Sequence, residues 1–189
     1  MEAISHFIFE LVKISILGCI YATLILLTFK IIAQYKPKSW FDLISREKLR
    51  LWFLSWFSTS LALFIFMFTY WGDHGLGDSA RIPIGYWRAI EETNGTQAYI
   101  QNNGRSALGI EKFIIADDYV YGLTDDINEN YEGKYFVYDL ADNKVITFIQ
   151  ENDFLNYLTA HNLNTGLEFK DFSYYYKKYW HGWRFWLLA

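Results

Sequence analysis

Two long apolar runs dominate the first third of the chain. Ile14 to Ala33, ISILGCIYATLILLTFKIIA, is broken once, by Lys30, and Leu51 to Trp71, LWFLSWFSTSLALFIFMFTYW, carries no charged residue. At 20 and 21 residues they predict helices of roughly 30 Å, the thickness of a bilayer's hydrocarbon core. Lys30 stands one turn from the end of the first run, where its stem lets the ammonium reach the headgroups. Trp52, Trp56, Tyr70 and Trp71 sit towards the ends of the second, where an interfacial belt places aromatics. The first run is long for a signal peptide's apolar region, and no small-x-small cleavage site follows it. The expectation is a membrane anchor over 1–71, with spans at about 14–33 and 51–71.

Between the runs, residues 34–50 carry Lys36, Lys38, Arg46, Lys48 and Arg50 against Asp42 and Glu47. Only Lys13 precedes the first run, and only Arg81 and Arg88 fall between Gly72 and Ile90. Short loops rich in Lys and Arg stay in the cytoplasm, so both termini are expected outside and loop 34–50 inside. Pro37 is placed to end the first helix, and Asp42 to Lys48 to form a short amphipathic turn on the membrane.

Beyond Trp71 the pattern shortens. Gly72, Gly75, Gly77 and Gly85 read as a hinge over 72–85. Trp87 to Glu91 reads as a strand, Asn94-Gly95 as a hairpin turn and Gln97 to Gln101 as the returning strand. Asn103-Gly104 marks another turn. Lys112 to Ala116 and Tyr119 to Tyr121 read as short strands. Tyr135 to Leu140 and Lys144 to Ile149 flank Ala141-Asp142-Asn143 as the clearest hairpin. The period then changes: Asp153 caps an expected helix with Phe154, Leu155, Leu158 and Leu163 on one face, ending at Gly166. The expected fold of 86–189 is α+β, a small antiparallel sheet with one or two packed helices. The final FSYYYKKYWHGWRFWLLA, 172–189, is too short and charged to span; it suits a headgroup-level segment or a lid on the sheet.

Charge sharpens this division. Residues 1–71 hold seven of the 17 Lys and Arg and four of the 21 Asp and Glu, a net of +3. The remaining ten and 17 leave 72–189 at −7, which argues against nucleic acid as a partner. Cys19 is the sole cysteine, so the chain forms no internal disulfide and offers no thiolate metal cluster. A compact domain without disulfides fits the bacterial inner membrane.

Candidate chemistry is sparse. Asp73, His74 and Asp78 are the closest grouping of possible metal ligands, but a site needs three or four convergent donors, and a polar hinge accounts for them. Gly77-Asp78-Ser79 resembles the opening block of GDS-type esterases, in which the serine is the nucleophile. Neither His161 nor His181 has the acidic residue three positions earlier that the closing block of those enzymes carries, and the serine needs a base and oxyanion donors. Asp117-Asp118 and Asp125-Asp126 lack EF-hand spacing and read as solvated turns. Asn94-Gly95-Thr96 is an N-glycosylation sequon that the hairpin already explains. Within the two runs Lys30 is the only ionisable side chain of the kind that relays protons or ions, and Ser58-Thr59-Ser60 suits close packing against another helix. No catalytic residue and no cofactor is assigned. The functional expectation is a membrane-anchored binding or accessory protein: a sensor, a complex subunit or an immunity-type protein. Its partners would be the bilayer and a protein in or outside it. The alternatives are a small tethered hydrolase using Asp73, His74, Asp78 and Ser79, and a structural subunit acting through its spans.

Overall fold

The computed structural model describes residues 2–72, 79–101, 107–125, 131–166 and 168–188. In chain order these form α1 (Glu2–Tyr35), α2 (Trp40–Arg46), α3 (Lys48–Met67), β1 (Ser79–Gly85), β2 (Arg88–Thr93), β3 (Gln97–Ile100), β4 (Leu108–Ala116), β5 (Tyr119–Thr124), β6 (Tyr135–Asp139), β7 (Lys144–Phe148), α4 (Glu151–Ala160), α5 (Phe172–Trp180) and α6 (Trp183–Leu187). The chain divides into two compact units, Met1–Gly77 with Gly182–Ala189, and Asp78–His181. The class is mixed helix and antiparallel sheet, as the pattern predicts.

In the helical unit, α1 and α3 are each long and apolar enough to cross a membrane. They pack antiparallel: Trp52 Nε1 donates to Thr23 Oγ1 at 3.1 Å, while Trp56 Nε1, one turn on, donates back to the Ser15 carbonyl at 3.3 Å. Ile14, Leu17, Leu63 and Met67 fill the seam. A Cβ on Gly18 would lie 2.2 Å from Ser60 Oγ, so a small residue at 18 lets the helices approach.

Both helix boundaries depart from the apolar runs. Helix α1 begins at Glu2 rather than Ile14, because His6, Glu10 and Lys13 fall on one helical face while Phe7, Ile8, Leu11 and Val12 keep the rest apolar. A criterion of unbroken apolarity discards such a turn. Helix α3 covers Lys48–Met67 rather than 51–71. Past Met67 the Thr69 hydroxyl takes the Phe66 carbonyl at 2.7 Å, and the chain folds back so tightly that a Cβ on Gly72 would lie 2.3 Å from that oxygen. Apolarity does not distinguish a helix from the turns that close it. Between them, α1 stops two residues before Pro37, and Ser39 caps α2 by accepting from the Asp42 N–H.

The sheet unit is a seven-stranded antiparallel meander in the order β1-β2-β3-β4-β5-β6-β7. Ser79–Gly85, expected as hinge, is an edge strand whose Ile82 and Ile84 are buried. The alternation of Ala80, Ile82 and Ile84 was masked by Pro83 and the surrounding glycines, and an edge strand is where a sheet accepts proline. A bulge between Ile110 and Lys112 bends β4. The nine-residue strand thus serves two halves of the sheet that fold over one core: Ile82, Ile84, Ile90, Ile100 and Leu108 from the first, and Phe113, Val120, Phe136, Tyr138 and Leu140 from the second. The second half also buries its other face, where Ile114, Tyr121 and Val137 meet Phe154 and Leu158 of α4. Burial on both faces is why β5 and β6 read as nearly unbroken apolar runs.

Helix α4 starts at Glu151 with Gln150 in the N-cap position, not at an Asp153 cap; Asp153 lies in its first turn, where a carboxylate favours the positive end of the helix dipole. Nor does Gly166 end it. Asn162, at φ 56°, follows the C-cap His161, and the Leu163 N–H returns to the Leu158 carbonyl at 2.8 Å. That is a Schellman close, sealed by Leu163 packing in the same cluster as Leu158. The aromatic tail is not one piece. Phe172–Trp180 is capped by Asp171 and packs into the sheet core through Phe172, with Tyr175 stacked on Phe113 at 4.8 Å. After His181 the chain rejoins the helical unit through Gly182, at φ 75°.

Candidate functional site

The hinge candidates Asp73, His74 and Asp78 lie outside the described residues, as do Asp126 and the Asn103-Gly104 turn. Ser79 opens β1 opposite Thr93. Asp125 donates its backbone N–H to the Gly109 carbonyl at 3.0 Å. His181 ends α5, and His161 ends α4 stacked on Tyr157 at 4.2 Å. Among the described residues no three His, Cys, Asp or Glu side chains converge as a metal site would require.

Asp117-Asp118 proves more informative. The pair is the two-residue turn between β4 and β5, Ala116 pairing with Tyr119 and Asp117 standing at φ 46°. Asp118 joins two other turns to its own. Its carbonyl accepts the Leu140 N–H at 2.8 Å, tying in the β6–β7 connection. Its carboxylate accepts the Tyr86 hydroxyl at 2.8 Å, tying in the β1–β2 connection. In the β6–β7 turn the Asp142 N–H donates to Asp139 Oδ1 at 3.0 Å, and Tyr138 donates to Asn143 Oδ1 at 2.7 Å. The Arg88 guanidinium stands 5.6 Å over the Tyr138 ring.

The unexpected member is the β1–β2 turn. Gly85 pairs with Arg88, so the turn is Tyr86-Trp87, with φ of 52° and 58°. Two positive φ angles in a two-residue hairpin are the signature of a type I′ turn, which favours Asn-Gly. For a bulky aromatic this region crowds Cβ against the carbonyl, at about 1–2 kcal/mol per residue. Nor does burial offset the strain, because Tyr86 is 52% and Trp87 75% exposed. Two large, exposed rings thus stand on strained backbone, with Asp118 and Asp139 near the Tyr86 hydroxyl.

Electrostatics links the parts. The Tyr86 phenol titrates above its ordinary value, chiefly because it donates to Asp118 and also because Asp118 and Asp139 oppose a phenolate. Tyr119 is raised as well, first by desolvation and then by Asp139. These groups fit recognition: rings to enter a pocket and carboxylates to meet cations. From spacing alone Asp117-Asp118 reads as a solvated turn and Trp87 as part of a strand, whereas Trp87 stands in the β1–β2 turn. The usable signal is the four-residue stretch Gly85 to Arg88 between the apolar Ile82 and Ile84 and the apolar Ala89 and Ile90.

The helical unit holds a second departure. Because α1 starts early, Glu10 lies within it, only 8% exposed. Lys13 Nζ stands 3.5 Å from Glu10 Oε2, an ion pair too long for a hydrogen bond, and 5.0 Å from the Phe185 ring centre. Lys30 is therefore not the only ionisable side chain of that helix pair.

Compared with family models, with curated proteins and with solved structures, the chain matches none.

Proposed function

We propose that the chain is a membrane-anchored binding protein. Its helices α1 and α3 cross a bilayer, the basic 34–50 loop stays in the cytoplasm, and the Asp78–His181 unit lies outside. There the Tyr86-Trp87 turn and its acidic surround recognise a basic face of a protein partner. The helices support the first part, since only 17% and 6% of their most apolar stretches are buried, whereas a soluble core helix buries its apolar residues. The charge bias of the loop supports the orientation.

The observation that carries recognition is the pair of positive φ angles at exposed Tyr86 and Trp87. Burial does not offset the strain at these exposed aromatics, and strain of this kind gathers where a chain meets its ligand. Aromatic anchors are also the commonest energetic centres of protein interfaces. The test is a photo-crosslinking amino acid at Trp87, with the same probe at Asn94 as control, in the native membrane. A discrete crosslinked species at 87, absent at 94 and lost on reversing Asp118 and Asp139 to Lys, is expected. Equal labelling at both turns would reject the reading. Orientation is tested separately: cysteines replacing Ser39 and Gln101 should react from opposite sides, with Gln101 outside.

A further inference from the structure

Residues 182–188 leave the sheet unit and belong with the helices. Helix α6 is a single turn and a half, with Trp183 and Trp186 59% and 71% exposed. Two contacts fix it to α1. The Tyr21 hydroxyl donates to the Leu187 carbonyl at 2.6 Å, and the Lys13 ammonium lies over the Phe185 ring. A helical side chain leans towards its helix's N-terminus, so the Tyr21 hydroxyl meets Leu187 about a turn before its own Cα. That point is inside the apolar run that opens at Ile14.

On the reading that α1 and α3 span, we infer that 182–188 is a third membrane contact: a short re-entrant segment whose partner is the lipid itself. Three features fit that solvent. A helix end leaves its last carbonyls unsatisfied, and hydrocarbon has no water to supply them. Tyr21 donates to one, and the Leu188 N–H closes back on the Arg184 carbonyl at 2.9 Å. The exposed rings of Trp183 and Trp186 are the side chains that favour the boundary between headgroups and acyl chains. Arg184 stacks on Trp183 at 5.1 Å, an arrangement that keeps its stem on apolar surface while the guanidinium reaches the headgroups. Ile16, Ile20 and Leu24 of α1 are exposed apolar residues as well.

The experiment uses the full chain in phospholipid nanodiscs, with Cys19→Ala and single nitroxide-labelled cysteines at Trp186, Phe57 and Asn94. Accessibility to oxygen, which concentrates in lipid, is compared with accessibility to a water-soluble nickel chelate. Phe57 reports on α3, where it is exposed, and Asn94 on the sheet unit. The expected result is oxygen preference at Trp186 and Phe57 and chelate preference at Asn94. Chelate preference at Phe57 would overturn the membrane reading itself. Oxygen preference at Phe57 with chelate preference at Trp186 would overturn only the re-entrant segment. Tyr21→Phe keeps the ring and removes the donor, so the docked-to-free ratio of the segment should fall roughly fivefold, the size of one neutral hydrogen bond. The Trp186 label should then gain chelate access while the Phe57 label does not change; no gain would show that Tyr21 does not hold the segment.

Discussion

Strand β2 has a turn at each end, and the two solve one geometric problem with opposite chemistry. At its far end Asn94 and Gly95 take φ of 56° and 65°; at its near end Tyr86 and Trp87 take 52° and 58°. Asn tolerates the left-handed region through its short polar side chain, and Gly has no Cβ to clash. Tyr and Trp have neither excuse. The first turn is what stability selects. The second departs from it in the direction of exposed ring area, with Asp118 and Asp139 near the Tyr86 hydroxyl. This disagreement between local preference and observed conformation is what the proposed recognition surface rests on.

The comparison breaks most visibly if the chemistry is moved. Placing Tyr-Trp at the far turn (N94Y/G95W) should lower the melting temperature by roughly 10 °C, since two bulky residues enter the left-handed region without an Asp118 to receive the hydroxyl. Circular dichroism in detergent measures it; an unchanged midpoint would mean aromatic type I′ turns carry no strain here. The reverse exchange at the near turn (Y86N/W87G) should raise the midpoint by roughly 5 °C and abolish co-purification of the partner identified through the Trp87 crosslink. A variant that gains stability and keeps its partner would sink the proposed function while leaving the strain intact.

Alkali distinguishes the turns without mutation. Tyr86 titrates above its usual value of about 10 because Asp118 holds its proton. A phenol raised by folding contributes stability that is complete below pH 10 and is lost as pH climbs through the folded-state value. Tyr119, Tyr121, Tyr135, Tyr138, Tyr157 and Tyr175 are raised too, each first by desolvation. The urea midpoint should therefore hold from pH 7 to 9 and decline above 10; the Asn94-Gly95 turn has no titrating group to add to that decline. The smallest effect is at one residue. In Asp118→Asn the Tyr86 titration should move down towards the ordinary range, seen as one phenol ionising earlier by ultraviolet absorbance, with the sheet intact.

What the sequence discloses follows from how local each cause is. The β6–β7 hairpin and the apolar face of α4 are written in consecutive residues, and both stand as expected. The Asn94-Gly95 turn is likewise a two-residue signal. Strand β1 was hidden because its pairing partner, β2, explains it better than its own glycines and proline do. The acidic, aromatic end of the sheet was illegible for a deeper reason. Tyr86, Asp118 and Leu140 meet across three separate turns, a long-range consequence of the sheet's course that spacing does not encode. The tail shows the same limit: nothing in FSYYYKKYWHGWRFWLLA announces that its two halves serve different units.

That divided tail has a consequence for synthesis. A ribosome releases α1, α2 and α3 first, then the whole of the sheet unit, and only afterwards the residues that settle on Lys13 and Tyr21. Helix α1 therefore acquires this neighbour only after the sheet unit has left the ribosome. A nascent protein stalled or cut anywhere within the sheet unit leaves Tyr21 without Leu187. Docking of residues 182–188 on α1 thus waits until the whole sheet unit between them has been synthesised.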